Sequence, residues 1–250
     1  MRMRRLPVAL TLLLLPLALP AQDLATTCHA SSSYDLTLAP DHLLFDRPQP
    51  APRQVELRDG SLRTDGAAVA LRAEDQDRLA LFERELRALA PRVKAVAVQG
   101  VDLLASAVHD EGARLSLGLD TRAELDRRVA ARAAGLKQRI AASNSTHDWQ
   151  GNLADQYADQ LAAELLPLLA NDLGQQAVQA AMSGDLQAAA DLRDSATDLA
   201  TQLRPRLEQR MQALAPQVKA LCPAIQRLAE LQQGVRDAGG QPLNLLQLGQ

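Results

Sequence analysis

From Leu79 onward the apolar residues of this chain return at steps of three and four. Leu79, Phe82, Leu86, Leu89, Val93 and Val96 keep one phase, and Gly100, Leu103 and Ala107 continue it. That period belongs to a helix with a single apolar seam. Before it the period is two. YDLTLAP alternates at Leu36 and Leu38, and RQVELRDGSLRTDGAAVAL alternates at Val55 and Leu57 and again at Val69 and Leu71. Asp59-Gly60 and Asp65-Gly66 are turn pairs that tolerate positive φ, with Leu62 between them. HLLFDRP fits no single period and runs into a proline-rich link. Short strands of this kind make a sheet with one apolar face, which needs a cover. The change of period predicts an α+β fold: a small N-terminal antiparallel β-meander, from about Tyr34 to Leu71, packed on a predominantly α-helical body with long kinked helices.

The helical pattern continues to about Val235. DEG at Asp110–Gly112 is expected to loosen or end the first helix. A second should start with Asp120 as N-cap and run through Leu125, Val129, Leu136 and Ile140. SNSTHDWQGN is the main break. A third helical stretch covers Leu153 to Met182, interrupted by Pro167 and Gly174, and Ser183-Gly184-Asp185 is a turn signal. The last helical region, Leu186 to Val235, has its seam at Leu203, Leu207, Met211, Leu214, Val218, Leu221, Ile225 and Leu228. The tail AGGQPLNLLQLGQ opens on a helix stop and ends in a short apolar run.

Two segments nearly repeat: ALAPRVKAV at Ala88–Val96 and ALAPQVKAL at Ala213–Leu221. A proline inside a helix costs about 3 kcal/mol, yet the seam keeps its phase across both Pro91 and Pro216. Two continuous, kinked helices account for this; alternatively each Pro opens a new helix. The likeness does not extend into a duplication. At the same offset Leu79 meets Arg204 and Arg78 meets Leu203.

The first residues read as a targeting signal. MRMRR is a basic start, and Leu6 to Pro20 is an apolar run of about 15 residues, short for a membrane span. Ala21 offers the cleavage site, so residues 1–21 are expected to be removed. Thr27 before Cys28 does not fit a lipoprotein signal. Losing Arg2, Arg4 and Arg5 leaves 24 basic against 30 acidic side chains, a net of −6 with His neutral. That balance argues against nucleic acid and anionic membrane surfaces as partners, and 2% aromatic residues make base- or sugar-stacking platforms hard to build. The cysteines are Cys28 and Cys222. An even pair in an oxidising compartment suggests a disulfide; the alternative is two free thiols, one buried in a helix.

Chemistry-bearing clusters are few. His109-Asp110-Glu111 sits where neighbouring helical side chains diverge, and reads as a charged helix end. His147-Asp148-Trp149 lies in a loop and reads as a polar connection with Trp149 docked on the core. His29 and His42 have no metal-ligand spacing. The sequence contains no nucleotide loop, nucleophile elbow, HExxH or CxxC. No catalytic, cofactor-binding or metal-binding residues are therefore assigned.

The leader, the early Cys28, the hairpin VELRDGSLRTDG, the charged helix DRLALFERELRALAP and the late Cys222 together resemble the YggN-like family of uncharacterised exported proteins of Gram-negative bacteria. The resemblance implies a periplasmic location and strengthens the pairing of Cys28 with Cys222. It implies no catalytic residues. The expected organisation is a signal peptide (1–21), an extended segment and meander (22–72), a helical body of the same domain (73–236) and a tail (237–250). The expected function is a non-enzymatic periplasmic binding or interaction module with an envelope protein as partner and no membrane segment after cleavage. Two alternatives stand beside it. One is a carrier holding a lipid or apolar ligand between helices, near Gly100 and Ala107. The other is a hydrolase-type enzyme assembled from scattered carboxylates and His147.

Overall fold

The structure is a computed structural model and describes residues 26–149 and 153–249. The expected signal peptide lies outside them. The strands are β1 (Ala30–Ser31), β2 (Asp35–Leu38), β3 (Leu43–Asp46), β4 (Gln54–Arg58), β5 (Ser61–Thr64), β6 (Ala67–Ala68) and, at the end of the chain, β7 (Gln247–Leu248). Between β6 and β7 run α1 (Ala73–Arg114), α2 (Leu119–Ala142), α3 (Leu153–Met182), α4 (Leu186–Met211), α5 (Ala215–Lys219) and α6 (Cys222–Gln232). The fold is α+β. No helix among the described residues is long and apolar enough to cross a membrane.

Strands β2 to β6 form an antiparallel meander in chain order. Leu57 stands opposite both Leu43 and Leu62, and Val55 opposite Phe45. These five side chains share one face and are buried. HLLFDRP becomes β3 for that reason: Leu43 and Phe45 point inward while Leu44 and Asp46 alternate outward. Asp59 and Asp65 take φ of 47°, and Gly60 and Gly66 take 79° and 81°, the positive values that two-residue hairpin turns require.

The cover comes from both ends of the helical body. Leu79, Phe82 and Leu89 of α1, Ile225 and Leu228 of α6, and Leu243 and Leu245 of the tail join the sheet face in one core. The Phe82 and Phe45 rings lie 6.2 Å apart, and Tyr34 meets Phe45 edge-on at 6.4 Å. The apolar run of the tail thus packs inside. Beyond it β7 pairs with β1, Ala30 opposite Leu248, and the Leu246 N–H donates to the Gln232 side chain at 3.1 Å. A disulfide joins Cys28 to Cys222 at the start of α6, and both cysteines are buried.

A second core holds Leu117, Leu125, Val129, Leu165, Leu169 and Leu173, packing α2 and α3 together. Here the helix boundaries differ from the sequence expectation. α1 runs through DEG to Arg114. Gly112 serves close approach rather than a stop, since a Cβ there would lie 2.5 Å from Leu125 Cδ2. Asp120 lies in the first turn of α2 and does not cap it. Asp172 of α3 does so from outside, accepting from the Gly118 N–H at 3.0 Å and the Thr121 hydroxyl at 2.8 Å. Pro167 and Gly174 do not interrupt α3.

The two ALAP segments part ways. α1 continues across Pro91, with Leu89 on one side of it and Val93 and Val96 on the other all packed on the core. After α4 the chain instead makes a 3-10 turn at Gln212–Leu214, and Pro216 and Pro223 stand in the first turns of α5 and α6. A first-turn proline removes only an amide that has no helical partner. Breaking here lets Leu214, Val218 and Leu221 stay buried while the chain turns Cys222 toward Cys28. The segments also touch: Arg92 donates to the Ala220 carbonyl at 3.2 Å. Leu203 of the expected seam lies outside the described side chains.

Candidate functional site

Strand β2 is an edge of the meander, and residues 143–149 cover it. The Leu38 N–H donates to the Asn144 carbonyl at 2.8 Å, the Leu36 N–H donates to Thr146 Oγ1 at 2.8 Å, and the Thr37 and Ser145 hydroxyls are 2.9 Å apart. These bonds occupy the outward amides of Leu36 and Leu38, which leaves the edge less open to another strand. His147 follows directly. Its Nε2 lies 3.0 Å from both oxygens of Asp46, and its Nδ1 is 3.8 Å from Asp35. Asp148 accepts from the Ser143 hydroxyl at 3.0 Å. Trp149 departs from expectation. It is 39% exposed and donates from Nε1 to Ser143 Oγ at 2.8 Å. The ring closes the loop on itself rather than docking on the core, because the short 3-10 turn at Thr146–Trp149 holds it over Ser143.

The other candidates disperse. His109 Nδ1 bonds Asp126 at 2.7 Å, Asp110 pairs with Arg210 at 2.9 Å, and Glu111 pairs with Arg114 at 2.7 Å and Arg206 at 2.9 Å. The hydrogen bond and charge of Asp126 raise the His109 imidazole above its usual value. HDE is therefore a charged helix end, as expected, whose three side chains are separate struts near the end of α1. His42 bonds its neighbour Asp41 at 2.8 Å, and the His29 carbonyl accepts from Gly249. Among the described residues no group of three His, Cys, Asp or Glu side chains is placed to hold a metal ion. Gly100 leaves no room for a ligand. A Cβ there would lie 3.2 Å from Leu214 Cδ1 and 3.5 Å from the Met211 methyl, and Ala107 is buried.

What the sequence reading missed lies on the hairpin of α3 and α4. Leu165, Leu169 and Leu173 face the second core, but Leu166, Val178, Met182 and Leu186 are exposed at 49%, 61%, 84% and 72%. Ala170, Gly174, Val178 and Met182, with Asn171, Gln175 and Gln179 beside them, lie along one exposed face of α3. The signal was present as a surplus. α3 carries apolar residues on more of its circumference than one buried seam uses.

Residues 28–246 match a family described as Protein of unknown function (DUF2884). The chain belongs to this family. The DUF2884 match takes in both cysteines, the meander, the helices and the tail as far as Leu246, and it agrees with the resemblance to an uncharacterised family read from the sequence. Neither a curated protein nor a solved structure matches the chain.

Proposed function

We propose that this DUF2884 protein is exported to the periplasm, loses residues 1–21, and acts there as a non-enzymatic interaction module whose partner is an envelope protein. Sheet (22–72), helical body (73–236) and tail (237–250) work as one domain. The observation that carries the reading is the exposed apolar surface of the α3–α4 hairpin. Large apolar side chains scattered singly on a surface need no explanation, but a cluster marks an interaction site. Val178 and Met182, one turn apart on α3, and Leu186, just past the turn, are exposed at the tip of the hairpin. The Cys28–Cys222 disulfide supports export, because such bonds persist in oxidising compartments.

The test is a photoreactive amino acid at position 178 or 182 in the native host, followed by fractionation. A chain lacking residues 1–21 in the periplasm, crosslinked to a discrete envelope protein, is expected. A cytoplasmic chain refutes export. A periplasmic chain that crosslinks to nothing from either position refutes the interaction role.

A further inference from the structure

Asp35 and Asp46 stand directly opposite each other in the register of β2 and β3. Both side chains leave the sheet on its outer face, since Leu36 and Phe45 beside them turn to the core. Like charges set directly across two strands are destabilising, and these two carboxylates are only 25% and 30% exposed. The pair sits on the edge that residues 143–149 cover.

One side chain answers both acids. His147 places Nε2 3.0 Å from each oxygen of Asp46 and Nδ1 3.8 Å from Asp35. Each ring nitrogen faces a carboxylate, and both carry a proton only in the imidazolium. Asp35 also accepts from the Thr146 hydroxyl at 3.0 Å. Among the described residues no Lys or Arg forms an ion pair with either acid. Arg47, next to Asp46, lies over the Tyr34 ring and donates to Ser33 and to the Pro50 and Pro52 carbonyls. Arg53 and Asp65 line a polar recess beside Asp46, and Asp65 there accepts from the Arg53 and Gln54 amides. Lys94 of α1 donates to the Ala141 carbonyl, and Asp148 accepts from Ser143.

None of residues 143–149 is fully buried. Their hold on β2 is otherwise the hydrogen bonds of Leu38 to Asn144, Leu36 to Thr146 and Thr37 to Ser145. Segments held by exposed polar contacts rather than by packing open locally, without unfolding the domain.

We infer that residues 143–149 form a proton-controlled strap over the β2 edge. The His147 imidazolium closes it by bridging Asp35 and Asp46, and the neutral ring loosens it. The bridge is complete well below the ordinary histidine value of about 6.5 and is lost as pH rises through the titration of the ring. The acids stay charged throughout that range and then face each other unbridged. Opening uncovers the amides of Leu36 and Leu38 and leaves the rest of the meander paired. The device requires neither export nor a partner.

The experiment is amide hydrogen exchange followed by nuclear magnetic resonance. It uses the purified chain from residue 22 onward, which keeps every described element. Protection is compared at about pH 5.5 and about pH 8, after correction for the intrinsic pH dependence of exchange. Leu36 and Leu38 are expected to lose protection about fivefold at the higher pH, the upper end for a partly exposed ion pair. The loss should follow the titration of the His147 ring, while amides paired between β4 and β5 keep their protection. His147→Gln keeps a side-chain donor but no titrating charge, so its Leu36 and Leu38 should be weakly protected and equal at both pH values. Asp46→Asn removes one of the facing charges and should shrink the change to less than about twofold. A wild-type change below about twofold overturns the inference. So does a full change that persists in His147→Gln or in Asp46→Asn, because another group then controls the strap. A loss shared equally by β4 and β5 overturns it too, since the whole sheet is then loosening.

Discussion

Replacing Gly60 and Gly66 by alanine, one at a time, separates two costs that the meander imposes on its turns. The two glycines have nearly the same backbone, φ of 79° and 81°, each after an aspartate at 47°. Their surroundings differ. A Cβ on Gly66 would meet nothing within 4 Å, so Gly66→Ala carries only the left-handed conformation, about 1 kcal/mol. A Cβ on Gly60 would lie 2.4 Å from the Gln76 carbonyl oxygen, 3.1 Å from its carbon and 3.3 Å from Ala80 Cβ. Those atoms belong to the first turns of α1, which also holds the hairpin through Glu83 accepting from the Asp59 N–H at 3.0 Å. Helix backbone yields less than a side-chain tip, and overpacking of this kind adds about 1–3 kcal/mol. Gly60→Ala should therefore cost about 3 kcal/mol in all, some 2 kcal/mol more than Gly66→Ala. Urea unfolding followed by far-ultraviolet circular dichroism measures both. Losses within about 0.5 kcal/mol of each other, the scatter of ordinary surface substitutions, would refute the claim that the hairpin is seated on α1.

Three further outcomes are expected. The disulfide spans a sequence separation of 194, and its loss in a Cys28→Ser, Cys222→Ser double variant should cost up to about 5 kcal/mol of stability in urea unfolding; an unchanged midpoint refutes its structural weight, and an intact mass that does not rise by two hydrogens on reduction refutes the bond. Asp172→Ala removes the acceptor at the start of α2 and should cost about 1 kcal/mol at pH 7. Burial would raise the Asp172 carboxyl, but the donors Gly118 N–H, Thr121 and Gln176 outweigh it and hold it low, so its contribution is full above the unfolded value of about 3.9 and vanishes as pH falls through the folded one; a gap between variant and wild type that persists at low pH contradicts this. His109 is raised, so its bond to Asp126 stabilises below about pH 6.5 and fades as pH climbs through the folded value; His109→Gln should lower the melting temperature in mild acid and leave it unchanged in alkali.

The fold was largely legible because period is a local property. The meander and the bounds of α3 could be read from spacing and turn residues alone. Leu43 and Phe45 resisted because strand and helix patterns overlap over so few residues. Helix ends at tertiary junctions were illegible for another reason: the residue that caps α2 is Asp172, which lies on a different helix. Pro91 and Pro216 sit in nearly the same local sequence, and only the surroundings decide that one helix continues and the other restarts. The exposed apolar residues of α3 escaped because spacing shows that a residue is apolar but not which of two apolar faces is left uncovered. Gly174 looked like an interruption when read along the chain. In three dimensions α3 runs through it unbroken.

The core of the sheet is assembled from both ends of the chain, since strands near residue 40 are sealed by α6, Leu243 and Leu245. Synthesis proceeds from the N-terminus. The first elements made are thus among the last to be completed, and contacts so distant in sequence form slowly. Until Cys222 and the tail have emerged, Leu43, Val55 and Leu57 have only α1 to lie against. A chain built this way cannot lock its first strands early. Under the proposed export, this late completion of the core suits a channel that threads extended polypeptide.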